Sequence, residues 1–143
     1  MLGGVLQCGD GGPYFWYPQR VEELVQYVDG FVMAVPRRKL EAYKKMAKRA
    51  GKIWKEFGAL QYRECVGQDL KANFGIPFPK LIKQKRGEVV VFSWITYKSK
   101  AQRDRIMKKV MEDPRMAAMM DPADMPFDMK RMAYGGFTTL VSY

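Results

Sequence analysis

YVDGFVMAV, residues 27–35, alternates large side chains (Tyr27, Phe31, Met33) with small ones (Val28, Gly30, Val32, Ala34), and Asp29 stands on the large side. Strand side chains point to opposite faces with a period of two, so the pattern predicts a strand buried on both sides, with close packing on its small face. Working outward, Pro36 sits where its fixed φ suits a first helical residue. Leu40, Tyr43, Ala47, Ala50, Trp54 and Phe57 then recur at spacings of three and four, one apolar stripe on a helix running to Phe57. Gly58 supplies a left-handed stop. Arg37, Arg38 and Lys39 crowd the first turn, where the helix dipole disfavours cations.

Ala59–Gly67 reads as a second strand, and Gln68–Gly87 as a long connection in which FPKLIKQK has room for a helical turn or two. Glu88–Tyr97 (EVVVFSWITY), β-branched and aromatic almost throughout, is the third strand. Ser99 with Gln102 forms a capping box for a second helix. Ile106, Met107, Val110 and Met111 supply its buried stripe, and Asp113-Pro114 ends it. After a Met-rich irregular stretch, Arg131–Tyr143 reads as the last strand. The order β-α-β-β-α-β predicts an α+β, ferredoxin-like fold: a four-stranded antiparallel sheet with both helices on one face. Strands one and three are apolar on both sides, so the open face needs a cover, and a second copy of the sheet is the economical one. This predicts a homodimer through the open sheet face, a dimeric α+β barrel.

The chain has 143 residues, 25 Lys+Arg against 15 Asp+Glu, two cysteines and no histidine. One domain is expected at this length. Without histidine, the chain cannot assemble a Cys/His zinc site, a Ser-His-Asp or Cys-His nucleophile, or a 2-His-1-carboxylate iron site. We assign no metal and no cofactor; the Asp121, Asp124 and Asp128 set lacks the glycine and closing glutamate of a calcium loop and reads as turn chemistry. Cys8 and Cys65 read as free thiols in a reducing compartment. No run approaches the ~20 apolar residues of a membrane span, and the start lacks the basic and apolar regions of an export signal. The protein is read as cytoplasmic, with no membrane partner. Residues 1–26 differ in character, being Gly-rich and acidic, with the aromatic cluster Tyr14–Tyr17. They are taken as an N-terminal extension, partly ordered or holding a short helix over Pro18–Val25, ahead of a single domain over 27–143.

Four blocks, YVDGFVMAVP (27–36), KLEAYKKMAKRAGKIWKEFGALQYRECVGQD (39–69), VVFSWITYKSKAQRD (90–104) and MDPADMPFDMKRMAYGGF (120–137), resemble the uncharacterised bacterial family called domain of unknown function 1428, also described as YbaA-like. The resemblance covers the chain from about Tyr27 onward. It implies a dimeric α+β barrel, from a superfamily that includes cofactor-free monooxygenases, lactone isomerases and ligand-binding stress proteins, but no particular reaction. It also implies histidine before Gly-Ala-Leu and before Arg-Asp, where this chain carries Phe57 and Gln102.

Asp29 is the leading catalytic candidate, because a carboxylate in mid-strand on an apolar face must be paired, hydrogen-bonded or facing a wet cavity. In a cavity it would act as proton donor or acceptor, with Tyr134 or Arg131 positioning an oxygen. The alternative is a structural carboxylate bound to backbone amides or to Arg131. Tyr27, Phe31, Trp54, Cys65, Phe92 and Trp94 are the candidate walls of a pocket for a small organic ligand; ordinary core packing is the other reading. Of 11 methionines, eight lie between Met107 and Met132, suiting a lid, a dimer contact or plain gap-filling.

Residues 36–63 carry ten Lys/Arg and two acids, and Lys44, Lys45, Lys48, Arg49 and Lys52 form a basic patch opposite the apolar stripe. It is either a phosphate-binding stripe or a solvated face. The third strand lacks the stacking aromatics of the RNA-recognition module, so the sequence argues against nucleic acid. Three functional readings stand: a homodimer binding a small organic molecule, with or without metal-free chemistry on it; a non-catalytic interaction or stress-related binding module; and nucleic-acid binding through the basic helix.

Overall fold

The computed structural model describes residues 25–143, so the readings of the leader, with its aromatic cluster and Cys8, lie outside the described residues. The chain forms β1 (Tyr27–Pro36), α1 (Leu40–Glu56), β2 (Gln61–Val66), α2 (Phe78–Leu81), β3 (Glu88–Tyr97), α3 (Lys100–Glu112), α4 (Pro114–Met119) and β4 (Ala133–Thr138). The sheet order is β2-β3-β1-β4, antiparallel at every junction. This is the α+β, ferredoxin-like arrangement that the element order predicts.

Register decides which side chains share a face. Tyr27 pairs with Tyr97 and Thr138, and Phe31 with Ser93 and Tyr134. Odd residues of β1 and β3 therefore point to one face, where Tyr27, Ile95 and Tyr97 pack with Ala50, Ile53 and Trp54 of α1, Ile106 and Val110 of α3 and Met116 of α4. Further along the same face, Met33, Val35, Val89 and Val91 pack with Tyr43 and Ala47. Trp54 meets Tyr97 edge to face, 6.2 Å between centroids, a geometry that adds about 0.5–1.5 kcal/mol beyond area burial.

Even residues form the open face. Its far end is covered by the chain itself: Leu70 and Ile82 from the β2–β3 connection pack on Val32, Ala34 and Val90. The near end keeps its apolar side chains outward, with Phe92 42 % and Phe137 62 % exposed. Phe78, Phe92 and Trp94 form a chain of tilted aromatic contacts at 5.9 and 5.5 Å.

Three local readings are corrected. Arg37–Lys39 form a 3-10 turn with no side-chain cap, and the α-helix begins at Leu40 with Glu41 in its first turn. Pro36 is the last residue of β1 rather than a first helical residue, Lys39 is the N-cap, and Glu41 stands in the first turn, where the dipole favours an acid. Asp113-Pro114 ends α3 but also starts α4, a helix the Met-rich stretch was not expected to contain: Asp113 accepts from the Arg115 amide at 2.8 Å and Pro114 takes the first position. The last strand stops at Thr138 rather than reaching Tyr143. Elsewhere the cap chemistry matches: Ser99 Oγ accepts from the Gln102 amide at 3.0 Å, while Gln102 Oε1 accepts from the Lys98 amide at 2.8 Å.

Gly58 closes α1 at φ +110°. A Cβ is strained there, so Gly58→Ala is expected to lower unfolding free energy by about 1–2 kcal/mol. Chemical denaturation checks this; an unchanged midpoint would show that the turn re-forms with negative φ.

Candidate functional site

Asp29 is fully buried on the helix face of β1. Its carboxylate receives Tyr97 Oη at 3.0 Å and Tyr134 Oη at 3.4 Å, and pairs with Arg103 Nε at 3.2 Å. Arg103 also donates to Tyr27 Oη at 3.1 Å and lies over that ring, 5.0 Å from its centroid. Burial pushes the Asp29 carboxyl up, against the pull of Tyr97 and Arg103. The charge is thus compensated from α3. Arg131, read as its possible partner, instead holds Glu88 through two contacts of 2.7 Å and the Lys83 carbonyl at 2.9 Å; this pairing holds the Glu88 carboxyl down to about 2. Tyr134, half-exposed and stacked 5.0 Å from Phe31, is the outer end of the Asp29 network.

The six pocket candidates do not line one space. Tyr27 and Phe31 lie on the helix face with Trp54, whereas Phe92 and Trp94 point to the open face, and exposed Cys65, which pairs with Phe92, also borders the groove between α1 and β2. Strand alternation separates them: the first two have odd numbers on β1, and Phe92 and Trp94 have even numbers on β3.

A different carboxylate stands at the cavities of the helix face. Glu64 on β2 accepts from Tyr43 Oη of α1 at 2.6 Å and from Tyr62 Oη at 2.8 Å. Burial pushes its carboxyl up, while the two phenols and Ser93 pull it down. Tyr62 reaches this place because Gly51 leaves room: a Cβ on Gly51 would lie 2.8 Å from the Tyr62 ring.

Two spaces meet at this Tyr–Glu–Tyr group. Outside it lies an open groove of about 930 Å³ between α1 and β2, with Val66 and Val91 on one wall and Lys44, Lys48 and Lys52 along the other. Inside it lies a cavity of about 200 Å³, lined by Phe31, Trp54, Ser93, Phe127 and methionines that include five between Met116 and Met132. The basic patch divides accordingly, Lys45 and Arg49 lying off the groove. Methionines of the irregular segment wall the inner cavity, joined by Met33 and Met46. Sequence reasoning missed Glu64, although the signal is there: it shares the parity of Tyr62 on a strand whose other face carries Arg63 and Cys65.

Asp121 and Asp128 accept backbone amides two residues on, at 3.0 Å each, which is turn chemistry. Phe57 packs against the core and Gln102 caps α3, so both positions expected to carry histidine have structural duties here. Among the described residues no helix is long and apolar enough to cross a membrane.

The raised Glu64 carboxyl predicts a signed pH effect. Its proton is held more tightly folded than unfolded, so this site's stabilisation is present below the ordinary value of 4.5 and is lost as pH rises through the folded pKa. Glu64→Gln lacks the titration, so its stability relative to the native chain is expected to improve as pH rises above the ordinary 4.5 and through the folded pKa. A pH-independent difference in urea midpoints would mean that Glu64 is solvated.

The profile of the family described as "Protein of unknown function (DUF1428)" matches residues 26–129. The uncharacterized protein YbaA of Escherichia coli K12 is 47 % identical over 117 residues, covering 82 % of this chain and 98 % of that one; YbaA of Shigella flexneri matches equally. Among solved structures, an uncharacterized NIPSNAP domain protein from Burkholderia xenovorans superposes with a TM-score of 0.51 at 15 % identity, over 79 % of this chain and 93 % of that one. That likeness concerns the fold alone.

Proposed function

The chain belongs to the DUF1428 family, and from that premise and its geometry we propose that it is a homodimer that binds a small organic molecule in the cleft between α1 and the sheet. The observation that carries the reading is the part-buried Glu64 carboxyl, held by Tyr43 and Tyr62 between an open groove and a methionine-lined cavity. Ligand sites are mostly apolar concavities with a few convergent polar groups, of roughly 300–1,000 Å³. The groove, at about 930 Å³, fits that description.

Glu64 is the titratable group placed to face a ligand; it can accept or return a proton without a metal or cofactor. Asp29, closed in by Tyr97, Tyr134 and Arg103, supports β1 from behind. The second copy covers the open face at Phe92, Trp94 and Phe137, which its own chain leaves outward.

Native mass spectrometry of the protein as purified tests this. The expected spectrum is a dimer carrying one small organic molecule per protomer, lost in Val66→Trp, which fills the groove from an exposed position. A bare monomer, or a bound mass indifferent to Val66→Trp, would overturn it.

A further inference from the structure

The lysines of the groove define the chemical class of its occupant. Lys44, Lys48 and Lys52 follow one another at four-residue intervals and all three line the groove, one helical turn apart. Among the described residues Lys44 and Lys48 form no ion pair. Other charges on the groove are already engaged: Lys55 donates to the Leu60 carbonyl at 2.6 Å, Glu56 pairs with Arg115 at 2.8 Å, and Glu64 is bonded to its two tyrosines. Glu41 is the remaining acid, about one turn before Lys44 on the same helix. Lys44, Lys48 and Lys52, with the carbonyl-bound Lys55 beside them, therefore border a wall that is otherwise apolar at Ala47, Val66 and Val91.

We infer that the ligand is an amphipathic anion, its head on Lys44, Lys48 and Lys52 and its apolar body directed past Glu64 toward the methionine-lined cavity; this rests on the small-molecule reading above. Flexible, polarizable thioethers adapt to flat or irregular apolar bodies and make favourable contacts with aromatic rings. A carboxylate, sulfonate or phosphate monoester on such a body satisfies both ends of the cleft. A nucleic acid would use the lysines without the cavity.

The test compares two dyes of similar aromatic body, anionic 1-anilinonaphthalene-8-sulfonate and neutral N-phenyl-1-naphthylamine, by fluorescence titration of the native protein. The anion is expected to bind about tenfold more tightly at low salt, as three partly screened charge contacts provide, and to lose that advantage in salt. Lys44→Gln/Lys48→Gln/Lys52→Gln is expected to bring the dyes to parity while leaving the neutral dye's affinity unchanged. A control with the same loss of charge, Lys80→Gln/Lys85→Gln/Lys108→Gln, should keep the preference. Equal binding of both dyes to the native protein, or an equal effect of the control, overturns the anion inference and leaves the cleft reading intact. Binding of neither dye overturns both. Displacement of the anionic dye by a mixed oligonucleotide, with no effect of Val66→Trp, would move the lysines to nucleic acid and end the proposal.

Discussion

Asp29→Ala is expected to lower the unfolding free energy by about 3–5 kcal/mol, the range for removing one partner of a buried ion pair. The substitution leaves Arg103, whose side chain is only 15 % exposed, with Asp104 at 2.8 Å as its remaining carboxylate partner, and takes the acceptor from Tyr97 and Tyr134. Arg103→Met is expected to cost less, because the remaining carboxyl can take up a proton and keep its two phenol donors. Its stability then falls as pH rises, the sign for an acid whose folded pKa lies above its unfolded one. Asp29→Asn/Arg103→Met removes both charges and should recover much of the single-variant loss, since a neutral pair of similar volume is tolerated where half an ion pair is not. Urea unfolding followed by tryptophan fluorescence measures all three. A loss under about 1 kcal/mol for Asp29→Ala would show that Arg103 swings out to water, and would reopen a catalytic reading of Asp29.

Phe92→Asp/Phe137→Asp is expected to convert the proposed homodimer into monomer at micromolar concentration, raising its dissociation constant at least about a hundredfold. Each carboxylate would have to be desolvated against the apolar side chains of the partner surface. Within one chain both positions are already exposed, 42 % and 62 %, so secondary structure should persist in the variant. Light scattering should give twice 16.6 kDa for the native chain and 16.6 kDa for the variant. A native monomer would overturn the homodimer reading, and a variant that stays dimeric would place the interface elsewhere.

Where the sequence was legible, two signals agreed. β3 is legible to the residue because β-branched and aromatic side chains fill both of its faces, and the buried stripe of α1, though not its start, because Tyr43, Ala47, Ala50 and Trp54 keep helical period and are all buried. Asp29 was legible as a buried carboxylate. Its partner was not: Arg103 lies three residues before Ile106 and seven before Val110, on the buried stripe, but an arginine in a helix rich in cations reads as solvated. Glu64 was hidden for a related reason. QYRECV alternates weakly, and only α1 packing across β2 makes one of its faces an interior. α4 was missed because Asp-Pro signals a helix end and a helix start with the same residues.

The buried carboxyls have a spectroscopic consequence. With no histidine in the chain, no side chain of ordinary pKa changes its charge between pH 5 and 8. Protonated-carboxyl vibrations that persist above the ordinary carboxylate range in an infrared difference spectrum are expected from Glu64 and Asp29, whose carboxyls burial pushes up. Glu64→Gln and Asp29→Asn would assign each band, and a ligand entering the groove would move the Glu64 band alone. The protein thus carries its own label at the site, with no probe attached.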